Sequence, residues 1–125
     1  MGTVAERWKI EAVLAMVRAV TLERFYVAGS YTYTSKTHIF LKRLGYDDAD
    51  VYHEVRNLCV EDYAAGPLAD DKHRPRDLWV FGKYVRELEV YVKLAVYIRD
   101  GHAESVCVSF HEAERPLTYP YRKAG

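Results

Sequence analysis

From Leu88 to Ile98 the chain alternates without a break: Leu88, Val90, Val92, Leu94, Val96 and Ile98 are apolar, and Glu89, Tyr91, Lys93, Ala95 and Tyr97 stand between them. Successive side chains of an extended chain point to opposite faces. A period of two this strict therefore predicts a strand with one buried face and one face open to solvent or ligand. Such a strand needs partners. Leu78 to Val85 supplies one across a tight turn at Arg86-Glu87, and Glu104 to His111 supplies another across Asp100-Gly101.

The second turn fixes which side chains share a face. A two-residue loop at Asp100-Gly101 is the usual hairpin, but it would set Leu94 opposite Cys107 and Val92 opposite Ser109, turning the apolar set of the third strand outward. A one-residue change in register reverses every side chain. A three-residue loop, Asp100-Gly101-His102, restores the match: Val96 lies opposite Val106, Leu94 opposite Val108 and Val92 opposite Phe110. The same register sets Lys93 against Ser109 and Tyr91 against His111 on the open face, where directly opposed Cβ atoms are about 5 Å apart. The Arg86-Glu87 turn sets Gly82 against Tyr91, and a residue without a side chain is expected to leave a hollow there for a ligand.

Upstream, Ile10, Val13, Leu14 and Val17 recur at helical spacing within Val4 to Val20, an amphipathic helix laid on a core. Phe25 to Gly29 is short and β-prone, an edge strand or an extended link. Thr34 or Ser35 can cap a second helix running to about Leu44, with Gly45 at its C-cap, and Asp47 or Asp48 starts a third carrying Val51, Val55 and Leu58 on one face. The expected fold is α+β: N-terminal helices packed on a twisted antiparallel sheet of three or more strands. The 125 residues suffice for one domain and one core. Its helical part is about 4–65, its sheet about 77–112, and 113–125 form a short tail.

Formal charge is balanced, 18 basic against 18 acidic residues, so no global positive field draws in phosphates and any nucleic-acid role must rest on a local cluster. The loop Gly66 to Asp77 offers one, holding Lys72, His73, Arg74 and Arg76 between two prolines. It reads either as a solvated connector or as a phosphate-contacting loop in which Arg74 and Arg76 meet the substrate. The acidic start of the third helix disfavours a DNA-binding helix-turn-helix. Cys59 and Cys107 read as buried free thiols. No apolar run approaches the roughly 18 residues of a membrane span, and the start of the chain has no secretory h-region, so the expected compartment is the cytoplasm. The histidines show no metal-ligand pairing, no Cys-x-x-Cys occurs, and no cofactor is expected.

The patch Tyr91, Lys93 and His111 suits cleavage of RNA without a metal, in which the 2′-OH attacks the adjacent phosphorus. Histidine serves as general acid or base, Lys93 and Lys83 are phosphate-charge partners, and Tyr91 orients. Gly82 and Ser109 border the substrate. Arg115 and Arg122, with Tyr119 between them, offer charge and stacking for single-stranded bases.

The runs Val60-Glu61-Asp62-Tyr63, Gly66-Pro67, Leu78-Trp79-Val80-Phe81-Gly82-Lys83, Val90-Tyr91-Val92-Lys93-Leu94 and Val108-Ser109-Phe110-His111-Glu112 resemble the motility quorum-sensing regulator (MqsR) family of type II toxins. The likeness covers roughly residues 60–121. It implies a compact RelE-like α+β fold, endoribonuclease (mRNA interferase) activity and neutralisation by a cognate antitoxin protein. It also implies that Tyr91 is the family's active-site tyrosine and that His111 takes the place of a catalytic lysine after Ser-Phe. Two positions depart: Ala64 and Ala65 follow Tyr63 where better-known members carry a lysine, and Val80 stands where they carry glutamine. The alternative from another class is a non-catalytic module that uses the same open face to bind protein or RNA.

Overall fold

The computed structural model describes residues 3–70 and 72–123. Helix α1 (Arg7–Ala19) buries Ile10, Val13, Leu14 and Val17, the stripe that its spacing predicts. A 3₁₀ turn at Leu22–Arg24 leads into strand β1 (Phe25–Val27). The Ser35 hydroxyl accepts the His38 N–H to start α2 (Lys36–Leu44), and Gly45, at φ 72°, ends it in the left-handed conformation. Asp47 and Asp50 form a reciprocal capping box at the start of α3 (Asp48–Arg56).

Strands β2 (Tyr63–Ala69), β3 (Asp77–Val85), β4 (Leu88–Arg99) and β5 (His102–Glu112) complete a five-stranded sheet of order β1-β5-β4-β3-β2. The helices lie on one face, over a core that includes Phe81, Val90, Val92, Leu94 and Phe110. This is the α+β fold expected, with two additions. Strand β1 runs parallel to β5, pairing Tyr26 with Val106, so the sheet is mixed. Strand β2 takes the end of what reads as the helical part and the start of the loop after it. Its small residues and two register shifts against β3 leave no alternation to read, and Pro67 is tolerated because β2 is an edge strand.

The β4–β5 hairpin corrects the expected loop. Arg99 pairs with His102, so the loop has two residues, Asp100 and Gly101, both at positive φ (52° and 78°). The extra residue is taken up further along, in a bulge at Val108: Leu94 faces Cys107, and Lys93 faces Ser109. Between turn and bulge the core side of β5 therefore carries Ser105 and Cys107, both fully buried, and Val96 faces Ser105 instead of Val106. Ser105 is accommodated because its hydroxyl donates to the Ala95 carbonyl at 2.8 Å. Beyond the bulge the pairings Val92–Phe110 and Tyr91–His111 are as predicted.

Beyond β1, β5 is held by α2: the Phe110 N–H donates to the Thr37 hydroxyl at 3.2 Å. This satisfies a donor that no strand reaches, and it brings Lys36 beside the end of β5.

Candidate active site

Tyr91 and His111 stack across the β4–β5 ladder, with ring centroids 5.3 Å apart and planes 20° from parallel. His111 Nδ1 lies 3.0 Å from the Glu112 carbonyl oxygen. A carbonyl can only accept, so Nδ1 carries the proton of that bond, and in the neutral ring Nε2 is left as a proton acceptor. The Lys93 ammonium lies 5.9 Å from the Tyr91 ring centroid. These three side chains, with Ser109, Glu114 and Arg115, line a cavity of about 490 Å³. The carboxylate among them is engaged: Lys36 Nζ lies 2.9 Å from Glu114 Oε1, and that hydrogen bond and charge hold the Glu114 carboxyl below its usual range. Val80, buried, lies directly opposite Lys93 on the other side of β4.

A second depression, about 600 Å³, shares Ser109 and His111 with the first and carries Arg74, Arg76, Lys72 and Lys36 on its walls. The loop after β2 thus shares a depression with Ser109 and His111. Asp70 organises it. The Lys72 backbone N–H donates to this buried carboxylate at 2.9 Å and Arg76 Nε donates at 2.7 Å, and both hold the carboxyl below its usual range.

Four expected members lie elsewhere. The hollow at Gly82 is filled by the chain itself. A Cβ placed there would stand 2.5 Å from Leu117 Cδ1 and closer still to Tyr119 Oη. Tyr119 is fixed by donating to Glu89 Oε2 at 2.6 Å, and the Leu117 N–H donates to Oε1 of the same carboxylate at 3.2 Å. Burial and that bond push the Tyr119 hydroxyl well above its ordinary pKa. So Gly82 and Tyr119 form a tail anchor, and the expected hollow is filled. Arg122 stacks over Tyr119 at 3.8 Å and lies 3.3 Å from Asp62 Oδ1, which makes it part of the same anchor.

Lys83 is on the helical face. It pairs with Glu54 Oε1 at 2.7 Å and donates to the Glu54 carbonyl at 3.1 Å. Period two predicts this position, since Gly82 and Lys83 are neighbours and cannot share a face. Lys36, by contrast, reaches Glu114 only through the packing of α2 on β5, which no local pattern encodes. Cys107 is buried as expected, but Cys59 is exposed, because it starts a 3₁₀ turn at the surface.

Among the described residues, no group of three or more His, Cys, Asp or Glu side chains is placed to hold a metal ion, and no helix is long and apolar enough to cross a membrane. No family model, curated protein or solved structure matches this chain.

Proposed function

We propose that this protein is a metal-independent endoribonuclease acting on single-stranded RNA, the toxin of a type II toxin–antitoxin pair of the MqsR kind, working in the cytoplasm. The observation that carries the reading is the stacked Tyr91–His111 pair, with the His111 tautomer set by Glu112 and with Lys93 and Arg115 on the same cavity. Tyr91 and His111 are also the two positions through which the family likeness runs.

The chemistry follows from that arrangement. His111 Nε2 takes the proton of a 2′-OH, and the freed oxygen bonds to the adjacent phosphorus. Lys93 and Arg115 neutralise charge growing on the non-bridging oxygens. The P–O5′ bond breaks, and the Tyr91 hydroxyl serves as donor to the leaving oxygen. The products are a 2′,3′-cyclic phosphate and a 5′-hydroxyl. A positioned acid or base of this type contributes roughly 10²–10⁴-fold.

Expression in a bacterial host tests the toxin reading. Wild type should arrest growth and degrade mRNA, and His111→Ala should do neither. Growth that continues with wild type, with the purified protein binding RNA intact, would favour the non-catalytic binding module instead.

A further inference from the structure

The two depressions that meet at His111 divide the sheet surface between them. The smaller holds Tyr91, Lys93 and Arg115. The larger extends across β5 toward Ala28, Gly29 and the start of α2. Its floor is apolar, since Val106 and Val108 both line it. They do so because the bulge at Val108 leaves Cys107 and Ser105 on the core side of β5. Its walls are cationic: among the described residues Lys36, Lys72, Arg74 and Arg76 line it with the Asp70 carboxylate. Arg76 is bound to Asp70 at 2.7 Å, whereas the Arg74 side chain is 55% exposed and 4.0 Å from the same oxygen. Lys36 is paired with Glu114, both side chains more than 60% exposed. An ion pair that open is weak, so an incoming phosphate can displace Glu114 from it.

We infer that this groove is a nucleotide subsite: the substrate strand crosses His111, and a nucleotide flanking the scissile phosphate lies on Val106 and Val108 with its phosphates on Lys36, Lys72 and Arg74. A volume of this size is within the roughly 300–1,000 Å³ of small-molecule sites, and an apolar floor with cationic walls matches a base and its phosphates. The inference rests on the proposed function in taking RNA as the ligand, and it adds that the enzyme reads a strand running through both depressions. Cleavage is then internal, and short substrates are poor ones.

The test uses 2′-deoxy oligonucleotides, which lack the attacking hydroxyl, so binding is measured apart from cleavage. A fluorescent nonanucleotide should bind wild type about tenfold more tightly than a trinucleotide, and the combined Lys36→Ala, Lys72→Ala and Arg74→Ala variant should lose that advantage. Its log–log salt slope should be shallower by about 2, since each phosphate contact contributes roughly 0.7 for a single strand. Circular dichroism should show the variant folded, because all three side chains are at the surface. An advantage and slope unchanged in the variant, or no length advantage in wild type, would overturn the subsite. An acidic peptide of equal length and charge that competes as well as the oligonucleotide would overturn the nucleotide assignment. Groove-dependent binding by a protein that never cleaves RNA would leave the subsite standing and remove the catalytic reading, so the two failures are distinguishable.

Discussion

The Tyr119 hydroxyl occupies the space where a side chain at Gly82 would stand, and it is pinned there by Glu89 at 2.6 Å. The C-terminal segment is thereby part of the sheet's outer face, directly beside Tyr91, which pairs with Gly82.

Gly82→Ala should therefore lower stability, not ligand affinity alone. Gly82 is not in the left-handed region, so the cost is steric: Leu117 and Tyr119 must leave their seats. Overpacking of this kind costs about 1–3 kcal/mol, readable as a shift of the urea midpoint. An unchanged midpoint with weakened RNA binding would mean that the position is an open ligand hollow after all.

Lys83→Met should destabilise in a pH-dependent way. Burial pushes the Glu54 carboxyl up, but hydrogen bonds from Lys83 and Tyr46 outweigh it and hold the carboxyl below its usual range. A carboxyl depressed in the folded state adds stability above its unfolded pKa, roughly 4.3, and that stability is lost as pH falls through the folded value. Wild type should exceed the variant by about 1–2 kcal/mol near neutrality. Denaturant melts should show the gap closing as the solution is acidified below the carboxylate range. A gap that does not vary with pH would show that Lys83 contributes through packing alone.

The two thiols should differ sharply in reactivity. Burial pushes the Cys107 thiol far above its ordinary value, and Cys59, although exposed, is raised by partial burial and by the Asp62 carboxylate. Native protein treated with an alkylating reagent near neutral pH should acquire one label, slowly, at Cys59, and urea should release the second. Mass spectrometry of the peptides decides it; rapid native labelling of Cys107 would contradict the buried face of β5.

The fold was legible wherever a local signal was strong. The caps at Ser35, Gly45 and Asp47 and the alternation of β4 as far as Leu94 each state one residue's conformation or face, and the structure has them; beyond Leu94 the alternation fails, with Ala95 buried and Ile98 63% exposed. The Tyr91–His111 pairing was legible through parity: one extra residue anywhere between Arg99 and Ser109 gives the same register. Its location was not, because the sequence cannot say whether the turn or the strand absorbs it, and the small core-facing residues Ser105 and Cys107 disguise the bulge. Long-range events were silent. Tyr119 filling the space at Gly82, Thr37 bonding the edge of β5 and Lys36 reaching Glu114 each join segments whose own patterns carry no trace of the other. Lys83 belonged to the legible part, since its neighbour Gly82 already assigned it to the opposite face.

The central claim is that His111 and Tyr91 cut RNA by 2′-OH attack. The direct measurement incubates the purified protein with single-stranded RNA in EDTA and identifies the new ends. The account predicts 2′,3′-cyclic phosphate and 5′-hydroxyl termini, formed by wild type, reduced roughly 10²–10⁴-fold in His111→Ala and reduced in Tyr91→Phe. Cleavage that persists undiminished in His111→Ala, or no cleavage by wild type, would contradict it.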